Sequence, residues 1–274
     1  MTYKAASRYI VSTDLDGTLL DHHSYEWQAA TPALAHLAAQ QIPVIINTSK
    51  TFEEVIELQR TMNLSAPFIV ENGSALFLPQ QHYPIAPPRA CSQEGYWQLT
   101  LGQERTPIVS QLHALRRQHG WSFESFTDMS PERVIALTGL SPQGAILALK
   151  RRFSEPLVWQ DSKRNYSAFV NSVESQNLRI IRGGRFVHIL GQTDKGFAIE
   201  HCRNYLESLN QTPLHIIALG DSPNDIDMLK IAHIAVVVRS PTHDYPKFQA
   251  RGKTIYTDGI GPIGWNQAIK QILQ

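Results

Sequence analysis

The chain has 274 residues, of which 42% are hydrophobic, and this content is enough to bury a full core and excludes wholesale disorder. A formal net charge of +1 argues against a dedicated nucleic-acid binder, which carries a concentrated basic face. No run approaches the roughly 18 apolar residues that cross a bilayer, and the two cysteines have no metal-ligand spacing. We therefore expect a cytoplasmic protein without a membrane contact.

The first and last thirds of the chain alternate apolar runs with helix-forming segments. The first third predicts helices that begin at Thr31, before Pro32, and at Thr51, which forms a capping box with Glu54. The strands predicted there cover residues 9–12, 42–46, 67–70 and 75–78, and in the last third 214–219, 234–238 and 254–256. Strands separated by helices of this length predict βαβ units and a mostly parallel sheet.

The middle of the chain follows a different pattern. Residues 82–88 are rich in proline and resemble a linker, and they precede a predicted strand at 97–101 and helices at 107–119 and 143–153. A hairpin is predicted where residues 179–181 and 186–189 flank Gly183-Gly184. The predicted fold class is thus α/β, with a doubly wound, Rossmann-like core from residues 1–84 and 191–274. Residues 85–190 would form an inserted α+β domain.

Two aspartates at the end of the first strand carry the main chemical signal. Asp14 and Asp16 lie two positions apart, so as a continuation of the strand they point to the same side. Open parallel sheets place their ligands at this carboxyl edge. Neighbouring carboxylates repel unless a cation joins them, and Mg²⁺ commonly binds one or two carboxylates together with phosphate oxygens. The alternative is a polar turn with a helix cap.

A second acidic segment favours the metal interpretation. Asp221 follows the strand at 214–219, which places it at the same sheet edge as Asp14. Asn224 can donate to a phosphate or to a neighbouring carboxylate. Asp225 begins a helix, where the helix dipole favours an acid without any catalytic role.

Two further residues complete the predicted constellation. Thr48 follows the second strand and offers a hydroxyl and a backbone N–H near a helix N-terminus, which suits a phosphoryl oxygen. Lys195 begins the helix after the insertion, where a cation is electrostatically misplaced unless an anion lies nearby. The two residues therefore point to an anionic ligand at this edge.

These segments resemble the four motifs of the haloacid dehalogenase (HAD) superfamily phosphatases. The matching residues are Asp14-Leu15-Asp16-Gly17-Thr18, Thr48, Lys195, and Gly220-Asp221 with Asn224-Asp225. The place of the insertion is similar to the C2-type cap of the Cof-like branch, and the resemblance covers the whole chain. It implies a HAD core and a cap that selects the substrate.

A closer resemblance is to the mannosyl-3-phosphoglycerate phosphatase family. It is carried by Thr48-Ser49-Lys50-Thr51, Phe153-Ser154-Glu155-Pro156, Arg182-Gly183-Gly184-Arg185-Phe186 and Gly261-Pro262-Ile263-Gly264-Trp265-Asn266. Most Cof-like relatives have Thr-Gly-Arg where this chain has Thr48-Ser49-Lys50, and the departure fits the subfamily. The implied activity is release of phosphate from mannosyl-3-phosphoglycerate.

The resemblance also implies a role for each matching residue. Asp14 would be the nucleophile and Asp16 the general acid and base, while Asp14, the Asp16 carbonyl and Asp221 would hold Mg²⁺. Lys195 and Thr48 would hold phosphate oxygens, and Asp225 would orient Lys195 or a metal-bound water. The residues expected to bind phosphate or substrate also include Lys50, Asn72, Arg182, Arg185 and Asn224.

Several alternatives stay open at this stage. Arg182 and Arg185 fit a solvated hairpin tip as well as a substrate contact, and Lys50 fits an exposed position. The same scaffold also fits a phosphatase of other sugar phosphates, or a sugar phosphomutase or phosphotransferase. In each case the partner is a small phosphorylated molecule and not a nucleic acid or a membrane. No long unexplained apolar stripe remains, so the pattern predicts no particular oligomeric state.

Overall fold

The computed structural model describes residues 8–183 and 186–274, and the strands within these residues form two sheets. In chain order the strands are β1 (Tyr9–Thr13), β2 (Val44–Asn47), β3 (Phe68–Val70), β4 (Ala75–Pro79), β5 (Cys91–Gln93), β6 (Tyr96–Thr100), β7 (Phe123–Ser125), β8 (Ser154–Trp159), β9 (Arg179–Arg182), β10 (Val187–Leu190), β11 (His215–Gly220), β12 (Ile234–Arg239) and β13 (Lys253–Ile260). The helices are α1 (Thr31–Ala39), α2 (Phe52–Met62), α3 (Arg105–His119), α4 (Pro131–Thr138), α5 (Pro142–Leu149), α6 (Lys163–Ser175), α7 (Lys195–Asn210), α8 (Ile226–Ile231) and α9 (Gly261–Ile272).

The large sheet has nine described strands in the order β13-β12-β11-β1-β2-β3-β4-β6-β5. The strands from β13 to β3 are parallel, and β4, β6 and β5 continue the sheet as antiparallel neighbours. Side chains alternate between its two faces, so Val11 packs with α1, α2 and α9 while Ile10 packs with α7 and α8. The doubly wound α/β prediction is therefore confirmed.

The register of the large sheet places two chain segments side by side at its carboxyl edge. Thr13 of β1 pairs with Leu219 of β11, and Asp14 N donates to Leu219 O over 3.0 Å. The residues that follow each strand, Asp14 and Asp221, therefore leave the sheet next to each other. They are 207 positions apart in the sequence (221 − 14).

The small sheet is antiparallel, in the order β7-β8-β10-β9. One face packs against α3 and α6, with Leu157 and Val187 among the buried residues. The other face adjoins α4 and α5, which pack around Phe126 and Val134. The predicted hairpin of β9 and β10 is confirmed, and Gly184 at its tip lies outside the described residues.

Three local predictions need correction. The sequence predicts a strand of the insertion at 97–101, but the corresponding β6 pairs with β4 in the large sheet and forms a hairpin with β5 at its antiparallel edge. We therefore propose that the insertion begins after Thr100. The helix predicted over 143–153 ends at Leu149, before β8. The N-cap of α1 is Ala30 and not Thr31, because a 3-10 turn leads directly into the helix.

A segment of the insertion, residues 151–154, is anchored in the large-sheet half of the molecule. Glu71 follows β3 and is fully buried. Its Oε1 accepts a hydrogen bond from Arg152 N (2.8 Å), and its Oε2 accepts from Phe153 N (3.2 Å) and Ser154 Oγ (2.7 Å). Arg151 Nε lies 3.4 Å from the same Oε2 and pairs with it. One carboxylate thus joins the two parts of the chain.

Among the described residues, no helix has both the length and the apolar character required to cross a membrane.

Candidate active site

The centre of the site is a buried lysine held between two aspartates. Lys195 begins α7 and is fully buried, and its Nζ donates to Asp14 Oδ1 and to Asp225 Oδ1, each over 2.6 Å. Asp194 caps the helix from the preceding position by accepting from Phe197 N. The predicted convergence of Lys195 with the first and last acidic motifs is therefore present in the structure.

Asp14 is also connected to the last helix of the chain. Its backbone carbonyl accepts a hydrogen bond from Thr13 Oγ1 (2.7 Å), and the same Oγ1 accepts from Trp265 Nε1 (3.0 Å). Trp265 on α9 is fully buried. The indole therefore buttresses the strand end that carries Asp14.

Asp221 and Asp225 have different hydrogen-bonding roles. Asp225 Oδ2 accepts from the backbone N–H groups of Asp221 (3.1 Å) and Ser222 (3.0 Å), so both of its oxygens have partners. Asp221 Oδ1 accepts from Thr18 Oγ1 over 3.0 Å. Gly17 lies against Asp221 with φ +80°, and a Cβ there would lie 2.7 Å from Asp221 Oδ2. The glycine is required both for its backbone conformation and for this close approach.

The carboxylates of Asp14, Asp221 and Asp225 together carry more negative charge than Lys195 neutralises. Burial raises the pKa of Asp14 well above its usual range, and the charges of Asp225 and Asp221 add to this against the opposing effect of Lys195. Burial likewise raises the pKa of Asp221, with a further contribution from Asp225. Burial disfavours the charge of Lys195, but its two carboxylate partners outweigh burial and raise its pKa.

These properties fit a divalent cation. Carboxylate oxygens of Asp14, Asp221 and Asp225 lie within 4.8 Å of one another, and all three residues are buried. Hard oxygen ligands of this kind suit Mg²⁺ or a similar ion, which would neutralise carboxylates whose pKa values are raised by burial and by one another. Because both oxygens of Asp225 are occupied, the carboxylates most available to a metal are those of Asp14 and Asp221.

The Asp16 carboxylate points toward another cation. Its Oδ2 lies 3.0 Å from Lys50 Nζ, while its Oδ1 is buried without a hydrogen-bond partner. Lys50 also lies 3.7 Å from Glu54 Oε1 and 5.3 Å from the centroid of the Tyr25 ring. Burial disfavours its charge, but Asp16 and Glu54 outweigh burial and raise its pKa. The alternative that Lys50 is merely exposed is wrong, since it is buried.

Thr48 contributes less to the site than its position in the sequence predicts. Its backbone N–H donates to Ile69 O over 3.1 Å and is therefore occupied within the sheet. Its hydroxyl accepts from Lys50 N (3.2 Å) and keeps its own proton to donate. The expectation that both groups contact phosphate therefore reduces to the hydroxyl.

Asn72 and Asn224 contact each other. Asn224 Nδ2 donates to Asn72 Oδ1 over 3.1 Å, and Asn224 Oδ1 accepts from Ser222 Oγ (2.5 Å). Asn72 has φ 59° and is buried, and its Nδ2 has no partner.

Of the predicted pair Arg182 and Arg185, Arg182 stacks on Tyr166, with 4.9 Å from Arg182 Cζ to the centroid of the Tyr166 ring. Arg182 is thus directed to the helix-covered face of the small sheet. It pairs with Val187, whose side chain packs with α3 and α6, and paired residues of antiparallel strands share a face. Arg185 lies outside the described residues. The structure therefore does not bring Arg182 to the acidic cluster.

A cavity of about 480 Å³ lies between the large sheet and the insertion. Its large-sheet side contains Asp14, Asp16, Lys50, Asp221 and Asn224, and its insertion side contains Phe126, Leu140, Arg151, Pro156, Phe186 and His188. Arg151 is held by Ser49 O (2.7 Å) and Ser154 Oγ (3.0 Å) in addition to Glu71. Asp14, Asp16 and Asp221 thus face a cavity that both parts of the chain line.

Sequence reasoning missed Arg151, His188 and His243. His243 Nε2 lies 3.5 Å from Asp221 Oδ2, and this contact with the carboxylate raises the pKa of His243 to about 9. Its position shortly after β12, a parallel strand ending at the same sheet edge, was a usable signal. Arg151 and His188 had no such signal, because their placement depends on how the insertion packs.

Comparison with known proteins gives consistent results. A sequence profile described as haloacid dehalogenase-like hydrolase matches residues 11–86 and 165–246. Two curated proteins, both named glucosyl-3-phosphoglycerate/mannosyl-3-phosphoglycerate phosphatase, are similar over nearly their whole length. The protein from Methanococcoides burtonii is 35% identical over 97% of each chain, and that from Persephonella marina is 34% identical over 96% of this chain and 97% of its own.

Solved structures show a similar fold. A sucrose-phosphatase from Synechocystis, solved with sucrose and phosphate, superposes with a TM-score of 0.59 at 17% identity, covering 96% of this chain and 97% of its own. A HAD subclass IIB sugar phosphatase superposes with a TM-score of 0.63 at 16% identity, covering 96% and 98%. At these identities the likeness concerns the fold alone.

Proposed function

The chain belongs to the haloacid dehalogenase-like hydrolase family and is a phosphatase, and we propose that it releases phosphate from mannosyl-3-phosphoglycerate with Mg²⁺ as its metal. The observation that carries the proposal is the buried cluster of Asp14, Lys195, Asp221 and Asp225, of which Asp14 and Asp221 line the cavity between the large sheet and the insertion. The substrate follows from the two relatives, whose shared name includes the glucosyl compound as a second substrate.

The first chemical step is assigned to Asp14. A carboxylate oxygen of Asp14 attacks the phosphorus in line, the bond from phosphorus to the ester oxygen breaks, and an aspartyl-phosphate forms. The leaving alkoxide takes a proton from Asp16. Water then attacks the aspartyl-phosphate, Asp16 accepts a proton from that water, and inorganic phosphate leaves with Asp14 restored.

The surrounding residues would position these groups. Lys195, held between Asp14 and Asp225, would keep the Asp14 carboxylate in one orientation. The positive charge of Lys195 would reduce the repulsion between this carboxylate and an anionic phosphate. Asp225 fixes Lys195 from the other side. Asp14, Asp221 and the Asp16 carbonyl would hold Mg²⁺, which when bound supplies positive charge between nucleophile and phosphate. The Thr48 hydroxyl would donate to a phosphate oxygen.

The glycerate part of the substrate carries a carboxylate that needs its own cation. Lys50 and Arg151 both line the cavity. The guanidinium of Arg151 suits a carboxylate, and its three anchors hold it in place. We assign the glycerate carboxylate to this pair in place of Arg182, which stacks on Tyr166 on the helix-covered face of the small sheet. The substrate contact expected of Arg185 stays a prediction.

The exposed Cys91 thiol supports a reducing compartment, and as part of the same proposal the reaction takes place in the cytoplasm.

The test is phosphate release from mannosyl- and glucosyl-3-phosphoglycerate and from a panel of sugar phosphates, with Mg²⁺ or with a chelator. We expect Asp14→Asn, which keeps the side-chain size, to lose at least about 10³-fold in kcat. Asp258→Asn is a matched control, because Asp258 is exposed and does not line the cavity. Undiminished turnover by Asp14→Asn would remove the nucleophile. A phosphorylated sugar product in place of inorganic phosphate would identify a phosphotransferase or mutase instead.

A further inference from the structure

We propose that His188 determines specificity by forming a hydrogen bond with a hydroxyl group of the uncharged sugar part of the substrate. This inference rests on the proposed function, since it names the residue that would recognise the sugar. His188 lies in β10, and the sequence resemblance gave it no role.

The strand pairing of the small sheet directs His188 into the cavity. His188 pairs with Pro156 of β8 and Ile181 of β9, so these three side chains share a face. The neighbouring positions, Leu157 and Val187, occupy the opposite face beneath α3 and α6. His188 and Pro156 both line the cavity. The orientation of the imidazole is therefore set by the sheet and not by a mobile loop.

The imidazole has a polar atom without a partner. His188 is 6% exposed, and its Nδ1 is buried without a hydrogen bond. A buried polar atom left unpaired costs about 1–3 kcal/mol, and native proteins rarely keep one without a reason. Because the ring lies in the wall of a cavity, a ligand that reaches it there would supply the missing partner.

The chain also leaves space beside this ring. Gly183 lines the cavity next to His188, and a Cβ at that position would lie 3.0 Å from His188 Nε2. Gly183 is held in place by its N–H, which donates to Phe186 O over 3.0 Å. A side chain at position 183 would press on the imidazole and narrow the cavity at this point.

The charge state of the ring matches a hydroxyl group better than an anion. Burial, together with the charges of Arg151 and Lys195, lowers the pKa of His188 to about 3, so the ring is neutral at physiological pH. A neutral imidazole has one donor and one acceptor, and a hydroxyl group is also both. Phosphate and carboxylate oxygens only accept, and Lys50 and Arg151 are better suited to them.

The surroundings of His188 fit the rest of a sugar ring. Phe126, Leu140, Pro156 and Phe186 line the same side of the cavity. Pockets for small molecules commonly combine apolar walls with a few polar groups that set orientation. The apolar faces of a pyranose would contact these walls, while His188 would read one of its hydroxyl groups.

The experiment compares a substrate that has the sugar with one that lacks it. We measure kcat/KM of wild type, His188→Leu and His188→Asn on mannosyl-3-phosphoglycerate and on p-nitrophenyl phosphate. For His188→Leu we expect the ratio of the two kcat/KM values to fall about 10- to 100-fold, as the loss of one hydrogen bond to a substrate implies. Asn retains a donor and an acceptor near the position of Nδ1, so it should recover part of the ratio.

Two further variants separate recognition from folding. Gly183→Ala leaves the imidazole in place but crowds it, and it should lower the same ratio. His215→Asn is the matched control, because His215 also has a buried Nδ1 without a partner but does not line the cavity. We expect its ratio to equal that of wild type. Thermal unfolding of each variant verifies that it is folded under the assay conditions.

Monodeoxy forms of the sugar identify the contacted hydroxyl group. One deoxy substrate should cost wild type as much as His188→Leu does, with no further loss when the two changes are combined. Equal losses on the sugar-containing and sugar-free substrates, or no loss on either, would overturn the inference. A wild-type protein active on sugar phosphates but not on glycosyl-3-phosphoglycerates would refute the proposed function instead. In that case, the kcat/KM for the best sugar phosphate divided by that for p-nitrophenyl phosphate, compared between wild type and His188→Leu, would decide the role of His188.

Discussion

The Glu71 anchor allows a prediction whose size follows from the structure. Glu71→Gln keeps the shape of the side chain but removes its charge and exchanges one acceptor oxygen for an amide N–H. Oε2 alone accepts from Phe153 N and Ser154 Oγ and pairs with Arg151 Nε, so the amide cannot satisfy all of these donors. Removing one partner of a buried ion pair costs about 3–5 kcal/mol.

The assay is calorimetric or fluorescence-monitored unfolding of both proteins, together with KM for the phosphorylated substrate. At about 2 °C per kcal/mol for a chain of this length, the unfolding midpoint should fall by about 6–10 °C. KM should rise, because Arg151 loses one of its three anchors at the cavity. The matched control is Glu53→Gln, which removes a half-buried partner of Arg152 (2.7 Å) and should cost less than about 1 kcal/mol. If Glu71→Gln unfolds within 2 °C of wild type, the anchor does not stabilise the fold as argued.

Three further predictions concern the site and its surroundings. Gly17→Ala should weaken Mg²⁺ binding by at least about tenfold in titration calorimetry, because the added Cβ would press on Asp221. Gly95→Ala is its control: Gly95 has φ +83° and open space around it, so the variant has the same backbone strain and should bind the metal normally. Lys195→Met should lower the free energy of unfolding by about 3–5 kcal/mol in chelator, since it leaves buried carboxylates without their cation, and added Mg²⁺ should restore part of the loss. The neutral His188 should make the protein less stable below pH 6.5, because the unfolded state then binds a proton, whereas folded His188 stays neutral down to its pKa of about 3. Between pH 7 and 5 the contribution of His188 to the free energy of unfolding should drop by about 2 kcal/mol. In His188→Leu the pH dependence of the free energy of unfolding should be correspondingly weaker. A slope unchanged by that substitution would assign the acid sensitivity to other groups.

Sequence reasoning predicted the acidic cluster because the relevant rules are local. The strands that end just before Asp14 and Asp221 are recognisable from short apolar runs, and parallel strands bring their carboxyl ends to one edge of the sheet. The capping box of Thr51 and Glu54 is a property of four consecutive residues, and it is present. These signals need no knowledge of how distant parts of the chain pack.

The errors arose where packing between distant segments decides. The strand with which β6 pairs depends on which edge of the large sheet is open. The sequence of β6 does not predict this, because it depends on the other strands. Arg182 lies in a correctly predicted hairpin, but the direction of its side chain depends on which face of the small sheet the helices cover. Because side chains alternate along a strand, a shift of one residue would place Arg182 on the opposite face. Lys50 and Asp16 are local candidates, yet their pairing appears only in three dimensions.

Trp265 gives the protein a built-in optical probe. Its indole is sealed from solvent and lies two hydrogen bonds from the Asp14 backbone, and indole emission responds to the electric field at the ring. With the other four tryptophans replaced by phenylalanine, a single fluorophore would report when the neighbouring carboxylate gains a cation or a phosphoryl group. Stopped-flow mixing could then time those events in the unlabelled protein.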